Sequence, residues 1–99
     1  MFNLLVLVTY DVQTSSSTGA KRLRKVAKIC QNYGQRVQNS VFECVVTSTQ
    51  FATLKLELLK VIDEEVDSLR FYRLGKNYKS KVEHFGTKEA LDLEGPLIF

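Results

Sequence analysis

Residues 2–11, FNLLVLVTYD, decide the fold of this chain. The branched and aromatic side chains of residues 2–10 are typical of a β-strand, and their near-continuous apolarity predicts a central strand covered on both faces. The apolar run at residues 4–8 is too short to span a bilayer. It also lacks a basic leading region and a small-residue cleavage site, so we expect a cytoplasmic protein with no signal peptide and no membrane contact.

Two amphipathic helices are predicted by apolar residues that recur every three or four positions. The first helix covers residues 20–33, with Thr18 as its N-cap and Gly34 as its C-terminal stop. The second covers residues 50–65, with its N-cap in the segment 47–49. The buried stripes are Leu23, Val26, Ala27, Cys30 and Tyr33 in the first helix, and Phe51, Leu54, Leu58, Val61 and Ile62 in the second.

Two further stretches read as strands. Residues 36–46 alternate between two faces, with a bend at Asn39 and Ser40, and residues 68–74 form a strand closed by Gly75. The resulting order is β-α-β-(β)-α-β. It predicts a ferredoxin-like βαββαβ sandwich of the α+β class, formed as one domain by residues 1–99.

One face of this sheet has no helix to cover it. Both helices of a ferredoxin-like domain pack on the other face, yet the first strand is apolar on both sides, so we expect the open face to meet a second subunit. The chain turns apolar again at residues 91–99, LDLEGPLIF. Because an exposed apolar end would be adhesive, residues 88–99 are predicted to add an edge strand to the chain's own sheet or to a partner's.

The composition is that of an ordinary globular chain with a modest positive charge. The formal net charge is +3 and the pI is about 9.0, which is compatible with a polyanionic partner but does not prove one. Cys30 and Cys44 lie in apolar stretches without CxxC spacing, and we interpret them as reduced core thiols. With His84 as the single histidine, a zinc site of the Cys/His type has too few ligands.

Asp11 is the best single candidate for a functional residue. It directly follows an apolar strand, where a carboxylate is rigidly placed and open to solvent. Mg²⁺ is usually bound by one or two carboxylates together with water and phosphate oxygens. One Asp per chain is a poor metal site, whereas two brought together by a two-fold axis make a plausible one. The alternative is a strand-end Asp that only hydrogen-bonds the following loop.

Two groups of residues are candidates for a nucleic-acid contact. Basic residues along the first helix follow a Ser/Thr-rich loop and either track a phosphate backbone or form a solvated face. One face of the second strand combines an arginine, an amide, a hydroxyl and an aromatic ring, which either meet phosphate and bases or only pair, turn and pack. The two groups are Lys21, Arg22, Arg24, Lys25 and Lys28 on the helix, and Arg36, Gln38, Ser40 and Phe42 on the strand.

Four segments together resemble a known family, the small CRISPR-associated endonucleases that form the second universal subunit of the spacer-acquisition complex. They are TYDV at residues 9–12, KRLRKVAK at 21–28, GQRVQNSVFE at 34–43 and DSLRFYRLG at 67–75. The third segment is the most specific, because a generic ferredoxin-like domain has no reason to carry it. The resemblance covers nearly the whole chain in register.

The resemblance implies a homodimer whose two sheets face one another. Asp11 from both subunits would hold Mg²⁺, or another divalent cation such as Mn²⁺, at the interface and would be both metal ligand and catalytic residue. Family members cleave single-stranded RNA or double-stranded DNA, and they bridge two integrase dimers. The residues implied for the substrate backbone are Arg22, Arg24 and Arg36, and those implied to support the site are Tyr10, Ser40 and Phe42.

Three functions therefore compete. The first is a metal-dependent endonuclease acting in spacer acquisition and antiviral defence, and the second is a non-catalytic DNA-binding scaffold that bridges integrase dimers. The third is a metabolite-binding regulatory dimer, which would show no salt-dependent binding of nucleic acid. The Ser/Thr-rich loop at residues 14–18 departs from the family, in which acids are often found there, and leaves the expected metal site resting on Asp11 alone.

Overall fold

A computed structural model describes residues 2–86, in which a four-stranded antiparallel sheet carries two helices. The strands are β1 (Leu4–Asp11), β2 (Gly34–Gln38), β3 (Val41–Val46) and β4 (Ser68–Gly75), the helices are α1 (Ser17–Gln31) and α2 (Ser48–Val61), and a 3₁₀ turn follows at Lys79–Lys81. The strand order is β2-β3-β1-β4. This is the predicted ferredoxin-like βαββαβ arrangement. The strand expected within residues 88–99 lies outside the described residues.

The first strand is central, as its sequence predicted. β1 pairs with β3 on one side and with β4 on the other. Val6 and Val8 are fully buried in the core that the sheet shares with the two helices. On the opposite face Leu5 is buried together with Tyr78, whereas Leu7 is only half-buried. The helix-free face is therefore covered over part of its length among residues 2–86.

The predicted strand at residues 36–46 is a hairpin of two strands. The bend expected at Asn39 and Ser40 is the turn that joins β2 to β3. A register shift between Arg36 and Gln38 places Arg36 opposite Phe42 and Gln38 opposite Val41. Cross-strand partners point to the same face, and successive residues of β3 alternate. The prediction that Gln38 shares a face with Arg36 and Phe42 was therefore wrong, because the shift breaks the alternation.

The first helix begins and ends earlier than its apolar stripe predicted. Its N-cap is Ser16, whose Oγ accepts a hydrogen bond from the Gly19 amide at 3.2 Å, so the expected cap at Thr18 was wrong. Gly34 is not a helix stop but the first residue of β2. A Cβ at position 34 would overlap the backbone of Glu43 and the Sγ of Cys44, which is why glycine is needed there. The stripe itself is confirmed, since Val26 and Cys30 are fully buried.

The second helix is capped as predicted but is shorter. Thr47 accepts from the Gln50 amide at 3.2 Å, and the Gln50 side chain accepts from the Thr47 amide at 2.9 Å, which makes a capping box. The helix ends at Val61, so the acids at residues 63–65 lie in the following turn and not on the helix. In that turn the Asp63 carbonyl accepts from the Asp67 amide at 2.7 Å.

The core between the sheet and the helices is apolar. Phe51, Leu54 and Leu58 of α2 meet the buried side chains of β1 and β3 there. Cys30 and Cys44 are free and fully buried, which confirms their predicted place in the core. Burial raises the pKa of each thiol to about 12. Among residues 2–86 no helix has both the length and the apolarity needed to cross a bilayer.

Candidate metal and nucleic-acid site

Asp11 lies at the solvent-exposed end of the central strand. It is the last residue of β1 and not the residue after it, because β4 pairs with the strand as far as Asp11 opposite Ser68. Since Val6, Val8 and Tyr10 point toward the helices, the pleat directs Asp11 to the opposite face. Within residues 2–86 its carboxylate makes no hydrogen bond or ion pair. The carboxylate is thus free to bind a ligand on the helix-free face.

The described part of one chain does not complete a metal site around this residue. Among residues 2–86 no three side chains of the His, Cys, Asp and Glu types come together as a ligand set. The Asp11 carboxylate offers oxygen ligands, which suit a hard cation such as Mg²⁺ or Mn²⁺. Such a cation keeps water and phosphate oxygens as its other ligands. Asp11 therefore suits a divalent-cation site as one of its ligands, and residues 2–86 do not gather a set of three ligands around it.

Tyr10 and Phe42 lie on the helix side of the sheet, next to the end of β1 that carries Asp11. Tyr10 is 5% exposed, and its ring stacks on Phe42 with centroids 6.3 Å apart. Its hydroxyl donates to the Asn39 carbonyl at 3.4 Å, and its amide donates to the Ser40 carbonyl at 3.1 Å. Burial is the main reason that the pKa of Tyr10 is raised. Ser40 and Phe42 thus hold Tyr10, the residue before Asp11, in place. The supporting role implied for Tyr10, Ser40 and Phe42 stays a prediction.

Arg36 lies on the helix side of the sheet. Its guanidinium carbon sits 5.2 Å from the centroid of the Phe42 ring, within cation–π distance. The sheet therefore separates Arg36 from the Asp11 carboxylate, although the Arg36 side chain is exposed. Gln38 is exposed near the hairpin turn. Gln38 pairs with Val41 and so points to the face of Asp11. The contact of both residues with nucleic acid stays a prediction, and only contact with Arg36 requires a substrate that passes around the sheet edge.

The basic residues of α1 fall into two groups. Four are exposed on the outer face of the helix: Lys21, Arg24, Lys25 and Lys28. Arg22 instead points inward and forms an ion pair with Asp67, with Nε to Oδ2 at 2.8 Å and Nη2 to Oδ1 at 3.2 Å. The four exposed residues remain available to phosphate, whereas the described contacts of Arg22 are internal.

Two residues of the site region were not predicted as site residues, although both lie in the segment DSLRFYRLG at residues 67–75. Arg70 lies opposite Thr9 in β4 and so points to the same face as Asp11, with its Nη1 donating to the Tyr72 hydroxyl at 3.0 Å. Asp67 is fully buried at its side chain and binds Arg22. Only strand pairing reveals Arg70, and only the chain's tertiary contacts reveal Asp67, because neither has a spacing that marks it.

The Asp67 carboxylate should make stability depend on acid pH. The hydrogen bond from Arg22 is the main reason that the pKa of Asp67 lies below its ordinary value of 3.8. A carboxyl with a lowered pKa contributes stability above its unfolded pKa and loses that contribution as pH falls through the folded pKa. We expect the free energy of unfolding to fall below about pH 4 in the wild type, and to fall less in Asp67→Asn. Urea denaturation at a series of pH values measures this, and parallel curves for the two proteins would contradict it.

Similarity to known proteins extends over nearly the whole chain. Residues 4–82 match the family model described as CRISPR associated protein Cas2. A Halalkalibacterium halodurans protein named CRISPR-associated endonuclease Cas2 is 75% identical over 96 residues, which cover 97% of this chain and 100% of the relative. A Chlorobaculum tepidum protein named CRISPR-associated endoribonuclease Cas2 is 59% identical over 95 residues, covering 96% of this chain and 99% of the relative. A crystal structure of Streptococcus pyogenes Cas2 is 60% identical, with a TM-score of 0.72 and coverage of 83% of this chain and 99% of that chain.

Proposed function

This chain belongs to the Cas2 family of CRISPR-associated endonucleases, and from that membership we propose that it hydrolyses phosphodiester bonds with a divalent cation held by Asp11. The observation that carries the proposal is the exposed, unpaired carboxylate at the end of the central strand. When bound, Mg²⁺ supplies positive charge that polarises a phosphoryl oxygen and lowers the pKa of a water molecule. Asp11 would hold that charge on the helix-free face.

The proposed active form is a homodimer. One chain offers a single carboxylate and no ligand set among residues 2–86, so a second copy of Asp11 would complete the site. The half-buried Leu7 and the exposed Tyr72, which are paired on the same face as Asp11, support a contact there because they leave apolar surface on that face. Cleavage activity should then disappear on dilution below the dimer dissociation constant.

The direct test is a cleavage assay in which Mg²⁺ is titrated against labelled single-stranded RNA and double-stranded DNA. The proposal expects cleavage that rises with Mg²⁺, is lost with EDTA and returns with Mn²⁺. Cleavage that is independent of any divalent cation would contradict it. The two substrates decide between RNA and DNA, since one relative is named only an endonuclease and the other an endoribonuclease.

A nucleic-acid-binding scaffold is the second candidate function. The exposed basic residues of α1 favour this scaffold role, because they need no divalent cation to bind phosphate. They lie in the helix layer, whereas Asp11 lies on the helix-free face of the sheet. In this role the chain would act in spacer acquisition together with a CRISPR integrase subunit. The two roles are compatible, because cleavage depends on one face of the sheet and backbone binding on the helix layer.

Binding through α1 should have a measurable salt dependence. We expect Arg24→Ala and Lys25→Ala each to reduce the slope of log affinity against log salt concentration by about 0.9 on double-stranded DNA, since each removes one phosphate contact. Lys60→Ala is the matched control, because Lys60 is an exposed cation on α2, outside the proposed surface. Filter binding over a series of salt concentrations measures the slope. Equal slopes for all four proteins, wild type included, would rule out this surface.

A further inference from the structure

We infer that Asp67, held by Arg22, is a positioning residue for Asp11, an inference that rests on the proposed function. Asp67 comes immediately before Ser68, the residue of β4 that lies opposite Asp11 in the sheet. Its carboxylate also binds the chain just beyond Asp11, since Oδ1 accepts from the Gln13 amide at 3.1 Å. Asp67 thus joins the two backbone segments that flank Asp11.

The Asp67 carboxylate has both oxygens occupied. Oδ1 accepts from Gln13 and from Nη2 of Arg22, and Oδ2 accepts from Nε of Arg22 and from the Asp63 amide, the last two at 2.8 Å each. The group is fully buried, and the Arg22 side chain is 18% exposed. A buried carboxylate with a two-pronged arginine and two amides has one favourable orientation. We name the four residues Gln13, Arg22, Asp63 and Asp67 the Asp67 clamp.

The clamp ties four parts of the chain together at the Asp11 end of the sheet. Gln13 belongs to the loop after β1, Arg22 to α1, Asp63 to the turn after α2 and Asp67 to the residue before β4. The Asp11 carboxylate makes no hydrogen bond or ion pair among residues 2–86 that would hold it. Its position therefore depends on its backbone, and a displacement of about 1 Å is enough to lower catalytic rates about 100-fold.

This inference gives Arg22 a different role from the other basic residues of α1. Its Nε and Nη2 are used by Asp67, and its Nη1 lies 3.5 Å from the Thr18 hydroxyl. Arg22 acts on cleavage through Asp67 and not through a phosphate. Arg22→Ala should therefore leave the salt slope of nucleic-acid binding unchanged, in contrast to Arg24→Ala.

The key variant is Asp67→Asn, which keeps the shape of the side chain. The substitution replaces one carboxylate oxygen by an NH₂ group, which donates hydrogen bonds and cannot accept them. That NH₂ group would face N–H donors of the Asp67 clamp. We expect the Mg²⁺ concentration for half-maximal cleavage to rise at least about 10-fold, with a smaller change in the rate at saturating Mg²⁺. Amide hydrogen exchange at Gln13 should become at least about 10-fold faster, a readout that does not involve activity.

Thr47→Ala is the matched control for general loss of stability. It removes the cap of α2, a change that costs about 0.5–2 kcal/mol of stability. The cap residue follows Val46, which pairs with Leu4, the first residue of β1. Asp11 is the last residue of β1, so the cap and Asp11 lie at different ends of that strand. Thr47→Ala should leave both the Mg²⁺ half-point and Gln13 exchange at their wild-type values. The double variant Arg22→Ala/Asp67→Asn should be no worse than Asp67→Asn, because both changes act through one contact.

The outcomes separate this inference from the proposed function. The inference fails, and the proposed function stands, if Asp11→Asn loses cleavage while Asp67→Asn keeps the wild-type Mg²⁺ concentration for half-maximal cleavage. Faster exchange of the Gln13 amide in Asp67→Asn would not rescue it. It also fails if Thr47→Ala shifts the half-point as far as Asp67→Asn does. A wild-type chain that neither cleaves nor shows Mn²⁺-induced broadening of the Asp11 amide signal would overturn the proposed function and the inference with it.

Discussion

Asp11→Asn is expected to abolish cation-dependent cleavage, with the rate at saturating Mg²⁺ reduced at least about 100-fold. An amide carries no charge and is a poor ligand for a hard cation, while its shape matches that of the carboxylate. The fold should be unaffected, because Asp11 is exposed and its carboxylate has no hydrogen bond or ion pair among residues 2–86. Cleavage of labelled nucleic acid over a Mg²⁺ titration measures the loss, and circular dichroism with thermal unfolding checks the fold.

The matched control for this variant is Glu83→Gln. Glu83 is also an exposed acid, and it lies beyond β4, in the segment that follows the 3₁₀ turn. It should cleave at the wild-type rate. Both variants should bind nucleic acid with the wild-type salt slope, since the basic face of α1 is unchanged. Wild-type cleavage by Asp11→Asn would refute the proposed site and would indicate a contaminating nuclease, whereas intact binding without cleavage would leave the scaffold role standing.

Phe42→Ala is expected to have the largest effect on stability, a loss of about 3–5 kcal/mol in the free energy of unfolding. Phe42 is fully buried, stacks on Tyr10 and lies beneath the guanidinium of Arg36. Replacing the ring by a methyl group removes buried apolar surface and leaves a cavity, which the surrounding sheet and helices fill only in part. Because small domains are stable by only about 5–15 kcal/mol, this loss leaves the chain partly unfolded at moderate denaturant concentrations.

Urea denaturation at a fixed protein concentration measures the effect, since dimer formation makes apparent stability depend on concentration. Phe85→Ala is the matched aromatic control, because Phe85 is 84% exposed. Its effect should stay within about 0.5 kcal/mol. A change of less than about 1 kcal/mol for Phe42→Ala would show that Phe42 is not part of a packed core.

Much of the fold follows from local pattern. Residues 2–11 read as a central strand, and β1 is the strand with two sheet neighbours. The apolar stripes of both helices are confirmed, as is the Thr47 cap of α2. The errors concern element ends and the hairpin. Ser16 caps α1 in place of Thr18, and Gly34 begins a strand, because its backbone packs against β3 and a neighbour distant in sequence sets that requirement.

The candidate site was predicted in part. Asp11 was identified from its position after an apolar strand, and the structure leaves it exposed. Gln38 was placed on the wrong face, because a register shift between β2 and β3 has no signature in the chain itself. Arg70 and Asp67 were not identified, since each gains its place from a partner more than forty residues away along the chain, Thr9 for Arg70 and Arg22 for Asp67.

Hydrophobic periodicity and a strand-end position are local properties, so the ferredoxin-like class, the central strand, the two buried helix faces and the candidate carboxylate could be predicted from residue order. The face that each polar residue occupies and the charges that are already paired became visible with the folded chain. Those outcomes depend on strand register and on contacts between distant segments. The two-pronged Arg22–Asp67 pair is the clearest case, since a basic residue of the helix is a partly buried partner of the residue that precedes β4.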